Sequence, residues 1–301
     1  MKLGIIGYGN LGKGLHSSFS VDKHSFFISN NSETNQDVIK NSDIIFCCVN
    51  TEILPSNIFD IKNVMDVVED FGVAFEEEIP LNAKILVICS TVNPGDTKEI
   101  NDILSPLNLR VCYVPFIISR ESIIESIQNQ ERIIIGSIEP SVIFTIGTLL
   151  NEIQKSAVPI VSMTTKSAEL TKLLISSYIA YKINFVNMVG ELLTNNGLID
   201  EIKLVTDTLS GHNVIGKNNF NYGYSFGGPY LPSENRVLGE FCNKNKLEFI
   251  QAIMVSNLSD NVVFIIKKEN VDLTLQRAME YFLSIEEYEQ CAKVRDIQKL
   301  L

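Results

Sequence analysis

The feature that most constrains this chain is a glycine-rich turn that directly follows its first apolar stretch. Residues 1–12 read MKLGIIGYGNLG, and three of their glycines have the spacing Gly-x-Gly-x-x-Gly. The isoleucine-rich stretch before the turn predicts a buried strand, and a helix is predicted to start within one or two residues of the last glycine. A strand, such a turn and a helix in this order indicate a dinucleotide-binding βαβ unit, although the turn alone is a weak signal.

The three glycines have separate predicted roles. Gly7 permits the tight turn, Gly9 lets the backbone approach a pyrophosphate, and Gly12 lets the helix pack closely on the strand. The free N–H groups and the positive end of the helix dipole then bind the anion. The predicted cofactor-binding residues of the turn are therefore Gly7, Tyr8, Gly9, Asn10, Leu11 and Gly12.

Alternating apolar runs and helical patterns continue to about residue 161. Strand-like runs are predicted at 25–28, 44–49, 84–89, 110–114, 132–136 and 158–161, with helices at about 60–79 and 141–155 and Pro94 in the first turn of another. This alternation predicts an α/β fold, a Rossmann-like, doubly wound and mostly parallel sheet.

Polar residues follow several of these runs, at the sheet edge where ligands of open α/β sheets collect. A dinucleotide fold usually has Asp or Glu after its second strand to bind the adenosine ribose, but this chain has Ser29 and Asn30 there. Either can hydrogen-bond a ribose, or the segment is a simple polar loop. NAD is the predicted cofactor, and NADP is not excluded.

The character of the sequence changes near residue 164. Residues 165–196 show an apolar periodicity without proline, which predicts one helix of roughly 45 Å. Such a helix often links domains or packs against a second subunit, so we expect a homodimer through it. Further helices are predicted at 200–210, 234–243 and 248–266. A loop rich in glycine and aromatic residues, 222–232, lies between them and is expected to carry function.

Composition limits the functional classes. A net charge of −11 and the lack of a basic stripe argue against a nucleic-acid or membrane partner. Six cysteines without a Cys-x-x-Cys pair indicate reduced, buried thiols in a cytoplasmic protein. Three histidines without ligand spacing make a catalytic metal unexpected. No apolar run has the length of a membrane span, and no signal peptide is expected because the first residues form a strand.

Six ordered motifs resemble the nucleotide-sugar 6-dehydrogenases, which oxidise UDP-glucose, GDP-mannose or UDP-N-acetylmannosamine. They are GIIGYGNLG, CVNT at 48–51, STVNPGDT at 90–97, RIIIG at 132–136, SAELTKLLISSYIAYKINFVN at 167–187 and SFGGPYLPSENRVL at 225–238. The resemblance implies an NAD(P)-binding domain at 1–162 and a central helical domain at 163–268, which serves dimerisation and substrate binding. It also implies cofactor contacts at Val49, Thr51 and Thr91, and a substrate loop with Tyr224, Phe226, Gly227 and Gly228.

In that family a hydride leaves the sugar C6 for the nicotinamide and gives an aldehyde, which a cysteine thiolate attacks. The resulting hemithioacetal loses a second hydride, and water then releases the acid and the free thiol. The family lysine corresponds to Lys172, its asparagine to Ser176 and its aspartate to Glu234. Its nucleophilic cysteine corresponds to Tyr230. A phenol with a pKa near 10 does not replace a thiolate, so the full four-electron oxidation is expected to fail.

Structural roles remain open for several of these residues. Lys172 could extend to solvent along its apolar stem, and Glu234 could interact with a helix dipole. The hydroxyls of Thr51 and Thr91 could cap the helices that follow. Tyr230 could be a packed loop aromatic.

The end of the sequence differs from the family pattern. Only about 35 residues follow Ile266, too few for the family's third domain, which closes over the nucleotide end of the substrate. Residues 269–301 resemble the helical hairpin of the UvrB and UvrC repair proteins, through IEEYEQCAKVRDIQKLL at 285–301. This segment is either a hairpin for protein contacts or an ordinary closing helix pair.

Two functions follow from the sequence. The first is an NAD-dependent oxidoreductase that acts on a sugar nucleotide or another small molecule by two-electron chemistry, with Lys172 as electrostatic catalyst and Glu234 as acid or base. The second is a non-catalytic dinucleotide-binding or assembly protein derived from the same family.

Overall fold

The computed structural model describes residues 1–118, 122–223 and 231–247, together with two short strands at 257–259 and 262–263. The chain forms two compact units, Met1–Lys172 and Leu173–Leu301, and the boundary between them lies within one long helix. No described helix is both long and apolar enough to cross a membrane.

The first unit is built on a seven-stranded sheet. Its strands are β1 (Lys2–Ile6), β2 (Ser25–Ser29), β3 (Ile44–Cys47), β6 (Lys84–Ile88), β7 (Leu109–Tyr113), β8 (Ile133–Gly136) and β9 (Ile160–Met163). A separate antiparallel pair consists of β4 (Glu52–Ile53) and β5 (Phe59–Asp60). The sheet order is β2-β1-β3-β6-β7-β8-β9, and every pair except β7 with β8 is parallel.

Helices cover both faces of this sheet, and its central strands are therefore buried on both sides. They are α1 (Asn10–Ser18), α2 (Ser32–Asn41), α3 (Lys62–Ala74), α4 (Asp96–Leu104), α5 (Ile123–Gln128) and α6 (Pro140–Asn151). Helix α1 packs with α5, whereas α2 packs with α3 and α3 with α4. The predicted Rossmann-like fold is confirmed, and the crevice between the ends of β1 and β3 lies where the strand order reverses.

The second unit is mainly helical. Helix α7 (Thr165–Asn195) enters it from the first unit and confirms the predicted long helix. Helices α8 (Ile202–Gly211) and α9 (Leu231–Lys244) follow, with a 3-10 turn at Ile199–Glu201. A short antiparallel pair, β10 (Asn257–Ser259) and β11 (Val262–Val263), completes the described part of this unit.

Two sequence predictions are wrong in this description. The helix predicted at 248–266 is not present at 257–259 and 262–263, where the chain is extended and paired. The β-branched side chains of Val262 and Val263 favour a strand. Pro94 precedes α4 instead of lying in its first turn, because Gly95 has a left-handed φ of 117° that no helical residue adopts.

Candidate functional site

The glycine turn after β1 has the close contacts that its motif predicts. Gly7 has a φ of 91°, and a Cβ atom there would lie 2.6 Å from the carbonyl carbon of Cys48 and from the nitrogen of Val49. A Cβ atom at Gly12 would lie 2.3 Å from the carbonyl oxygen of Gly7. The turn is therefore packed against the end of β3 and against its own helix, and larger residues at these two positions require the backbone to move.

Gly9 has the opposite environment. Apart from its two chain neighbours, no atom of the described residues would lie within 4 Å of a Cβ atom there, so the described structure leaves open space at this position. Gly9 is also the N-cap of α1; it provides no side-chain cap, and the first turn of the helix contains no acidic residue. The first N–H groups of the helix, from Asn10 to Gly12, have no acceptor within an α-helix. This arrangement suits an anion such as a pyrophosphate.

Tyr8 connects the turn to the neighbouring strand. Its backbone N–H donates to Oδ1 of Asn30 at 3.0 Å, and its hydroxyl lies 2.7 Å from Nδ1 of His16. The Lys13 ammonium lies 5.9 Å from the centre of the Tyr8 ring. The ring is therefore held along α1, beside a positive charge.

Ser29 and Asn30, the two residues predicted to bind ribose, have different environments. Ser29 is buried, and its hydroxyl donates to the carbonyl of Asn31 at 2.7 Å and lies 2.6 Å from the Thr34 hydroxyl. Asn30 is exposed and its amide oxygen holds the Tyr8 N–H. Asn31 caps α2 by accepting from the Thr34 N–H at 3.2 Å. Of the two predicted residues, Asn30 is the one with an accessible polar group.

Hydrogen bonds join the loops that follow β3 and β6. The Thr51 hydroxyl donates to the carbonyl of Thr91 at 2.8 Å, and the Ser90 hydroxyl donates to the carbonyl of Val49 at 2.7 Å. The predicted cofactor residues Val49, Thr51 and Thr91 thus lie in one connected region at the carboxyl ends of two neighbouring strands. Thr51 is not a helix cap, since its hydroxyl bonds to a loop carbonyl 40 residues away.

Glu169 of α7 fixes the start of α4, a contact that the sequence did not indicate. Its carboxylate accepts the backbone N–H of Gly95 at 2.6 Å and that of Thr97 at 2.9 Å, and the residue is 0% exposed. Gly95 has no side chain to cap the helix, so Glu169 supplies the cap from 74 residues away. The first turns of α7 are thereby attached to the loop that contains Thr91.

Asp96 and Asn93 shape the same loop. The Asp96 carboxylate accepts from the backbone N–H of Asn93 at 2.8 Å and from its side-chain amide at 2.9 Å. Burial raises the pKa of Asp96, and these two hydrogen bonds oppose the shift. The Asn93 side chain also bonds both backbone groups of Phe59, so the loop is attached to β5.

The predicted catalytic residues Lys172 and Ser176 lie on α7, one helical turn apart and therefore on the same side of the helix. Lys172, the last residue of the first unit, is 8% exposed. In the second unit the Ser176 hydroxyl donates to Oε2 of Glu234, which lies in the first turn of α9 and is 1% exposed. A buried carboxylate with a hydroxyl partner is a group that can accept or donate a proton.

The remaining predicted residues, Tyr224, Phe226, Gly227, Gly228 and Tyr230, lie outside the described residues. The segment before them is attached to α7 in the second unit. The Gly223 N–H donates to the Asn187 side chain at 2.9 Å, and a Cβ atom at Gly190 would lie 1.9 Å from the Tyr222 ring. Gly190 therefore makes room for an aromatic ring on the surface of the helix.

Cys242 follows Tyr230 by twelve residues in the sequence, and it is buried in α9. Burial raises the pKa of its thiol, which opposes a nucleophilic role. Among the described residues no group of three or more His, Cys, Asp or Glu side chains could hold a metal ion.

The chain matches one protein family in two parts. Residues 14–158 match the NAD-binding domain of the UDP-glucose/GDP-mannose dehydrogenase family, and residues 166–259 match its central domain. The first match begins after Gly12, so the geometry of the glycine turn is an observation separate from it.

Individual relatives are similar over part of their length. A UDP-glucose 6-dehydrogenase of Campylobacter jejuni is 32% identical over 208 residues, which are 67% of this chain and 49% of that enzyme. The uncharacterized protein MJ1054 of Methanocaldococcus jannaschii is 27% identical over 194 residues, 63% of this chain and 21% of that protein. The chain thus spans about half or less of the length of these relatives.

A solved structure shows the same fold. The UDP-glucose dehydrogenase of Pyrobaculum islandicum superimposes with a TM-score of 0.69 at 19% identity, over 93% of this chain and 71% of that one. At this identity the likeness concerns the fold alone.

Proposed function

Since the chain belongs to the UDP-glucose/GDP-mannose dehydrogenase family through its NAD-binding and central domains, we propose that it is a dinucleotide-dependent oxidoreductase acting on a sugar nucleotide. We further propose that it carries out a two-electron step and not the four-electron oxidation. The observation that carries the proposal is the uncapped start of α1 beside the open space at Gly9.

The residues present fit a dinucleotide. Uncapped N–H groups at the start of α1 offer hydrogen bonds to a pyrophosphate, and no side chain in the described part of the chain fills the space in front of Gly9. Asn30 would hold the adenosine ribose, and Val49, Thr51 and Thr91 would line the rest of the cofactor site. When bound, the nicotinamide supplies the hydride acceptor or donor.

The chain's own residues then handle charge and protons. We propose that the Lys172 ammonium stabilises negative charge on the substrate oxygen. Glu234 would take or return the hydroxyl proton, with Ser176 holding its carboxylate in place. Tyr224, Phe226, Gly227 and Gly228 would contact the substrate. Tyr230, at the position of the family cysteine, would provide no thiolate for a second oxidation.

The stoichiometry of the reaction tests this proposal. The full-length chain is incubated with NAD and UDP- or GDP-sugars, reduced cofactor is followed by absorbance, and hydroxylamine is added to trap aldehyde as an oxime. We expect one reduced cofactor for each sugar oxidised and an oxime product. Two reduced cofactors for each sugar, with a uronic acid as product, would refute the two-electron step.

The second candidate is a protein that binds the dinucleotide without turnover. It is favoured by the replacement of the family cysteine and asparagine by Tyr230 and Ser176. Saturable cofactor binding with no turnover of any sugar nucleotide, in either direction, would select this candidate. Recovery of acid formation by Tyr230→Cys would instead show that the remaining site is competent.

We also propose a homodimer through α7. Within the second unit this helix exposes large apolar side chains at a spacing of four, three, seven and four residues, which forms one stripe along the helix. These side chains are Leu174, Tyr178, Tyr181, Met188 and Leu192.

Light scattering after size exclusion tests the dimer. Tyr178→Arg combined with Leu192→Arg is expected to give a monomer, because two charges would be buried without partners. Phe144→Arg, at an exposed aromatic residue of α6, is the matched control and is expected to leave the mass unchanged. A wild-type protein of monomeric mass would contradict the proposal. We retain a cytoplasmic location and a protein contact through residues 269–301 as further proposals, although those residues lie outside the described ones.

A further inference from the structure

The residue that follows the second strand determines which dinucleotide this type of fold prefers. A carboxylate there accepts hydrogen bonds from the ribose hydroxyls of NAD, whereas a basic group accommodates the 2′-phosphate of NADP. In this chain β2 ends at Ser29 and is followed by Asn30 and Asn31. The first acidic residue, Glu33, already belongs to α2.

The orientation of the Asn30 amide is fixed by its contact with the glycine turn. The backbone N–H of Tyr8 donates to Oδ1 of Asn30 at 3.0 Å. A backbone N–H needs an acceptor, so the oxygen of this amide faces the turn and its NH2 group faces away. Within the described part of the chain this NH2 group has no hydrogen-bond partner, and Asn30 is exposed. Asn30 therefore presents two donors where an NAD-specific site presents an acceptor.

The surroundings of Asn30 strengthen this inference. Ser29 cannot serve the ribose in its place without losing its contacts with Asn31 and Thr34, since its hydroxyl is buried between them. The ammonium of Lys13 lies 5.9 Å from the ring of Tyr8, the residue whose N–H is bonded to Asn30. Lys13 thus adds a positive charge beside Tyr8 at the start of α1, and positive charge and amide donors both favour an anionic ligand group.

We propose that Asn30 is a specificity-determining residue that admits a 2′-phosphate, so that this chain binds NADPH within tenfold of its affinity for NADH. The proposal rests on the proposed function, because it requires the cofactor site at the glycine turn. A carboxylate at this position would repel a phosphate that carries roughly −1.5 to −2 charges, whereas the amide donates to it.

Titration of the full-length chain with NADH and with NADPH, followed by cofactor fluorescence, tests the proposal. Asn30→Asp is expected to weaken NADPH binding by about tenfold, from charge repulsion at about 5 Å in water, and to leave NADH binding unchanged or tighter. Asn41→Asp is the matched control. It adds the same charge to an exposed residue at the other end of α2, and we expect the ratio of the two affinities to stay at its wild-type value.

The possible outcomes are distinct. A wild-type preference for NADH larger than tenfold would overturn the proposal, and so would an unchanged affinity ratio in Asn30→Asp. Either result leaves the proposed function intact, because the dinucleotide still binds. A chain that binds neither NADH nor NADPH would overturn both the proposed function and this inference.

Discussion

Glu169 offers a sharp test of how the first unit is held together. Its buried carboxylate accepts the N–H groups of Gly95 and Thr97, so it is the cap of α4. Glu169→Gln preserves the shape of the side chain, but only one oxygen remains as an acceptor. The NH2 group of the new amide faces a backbone N–H, and two donors cannot bond to each other.

The magnitude follows from these two contacts. A hydrogen bond to a charged group contributes roughly 1.5 to 3 kcal/mol, and a buried donor left without a partner costs a similar amount. We therefore expect Glu169→Gln to lower the free energy of unfolding by about 3 kcal/mol. Local opening of the start of α4 should become about a hundredfold more frequent.

Two measurements check this expectation. Urea denaturation gives the change in the free energy of unfolding, and hydrogen exchange in peptides that cover residues 90–104 gives the local opening. Glu99→Gln is the matched control, since Glu99 is exposed in the first turn of the same helix, and a loss of about 0.5 kcal/mol is expected. Glu169→Gln with a free energy of unfolding and an exchange rate like those of the control would refute the capping role.

Three further predictions concern packing, hydrogen bonding and thiol reactivity. Gly190→Ala should lower the free energy of unfolding by about 1–3 kcal/mol, because the new methyl group overlaps the Tyr222 ring. In a Tyr222→Ala background the same substitution should instead stabilise the protein, since alanine is the better helix former. A loss of stability in both backgrounds would contradict this explanation. Ser176→Ala should cost roughly 1–3 kcal/mol, since it removes a donor to a buried carboxylate. Ser177→Ala should be neutral or stabilising, because the buried Ser177 hydroxyl has no hydrogen-bond partner among the described residues, and equal effects of the two alanines would count against the contact. Burial raises the pKa of Cys47 to about 12, so only about one thiol in ten thousand is ionised at pH 8. Mass spectrometry after iodoacetamide treatment should therefore find Cys47 unlabelled in the folded protein. Prompt labelling would contradict the raised pKa.

Local sequence patterns were sufficient for the elements whose signals lie within one segment. The glycine turn, the apolar strands and the length of α7 all follow from spacing and periodicity. Residue type alone predicts Pro94 in the first turn of α4, but this helix begins two residues later, at Asp96, because Gly95 has a left-handed backbone conformation. The apolar residues of 248–266 fit a helical or a strand period, and the described residues of this segment pair as strands and not as the predicted helix.

The contacts that the sequence did not reveal join residues far apart in the chain. Glu169 reaches Gly95 across 74 residues, and Ser90 reaches Val49 across 41. Both residues lie in motifs that carry the family resemblance, but the spacing within those motifs does not indicate a partner 41 or 74 residues away. Such partners are set by the packing of whole elements, and they become visible only when the fold is known.

The central claim is that the turn from Gly7 to Gly12 binds a dinucleotide, and Gly9→Ala tests it most directly. Gly9 has a φ of −76°, which any residue adopts, and no described residue beyond its chain neighbours lies within 4 Å of its Cβ position. The free energy of unfolding of the unliganded protein should therefore change by less than about 1 kcal/mol.

NADH titration of the wild type, Gly9→Ala and Gly72→Ala is the decisive measurement. Gly72 has equally open space at its Cβ position but lies in α3, away from the turn. We expect NADH to bind the wild type and Gly72→Ala equally, and to bind Gly9→Ala at least about tenfold more weakly, because the methyl group occupies the space of the pyrophosphate. An affinity in Gly9→Ala equal to that of the wild type, or no binding by any of the three proteins, would contradict the claim.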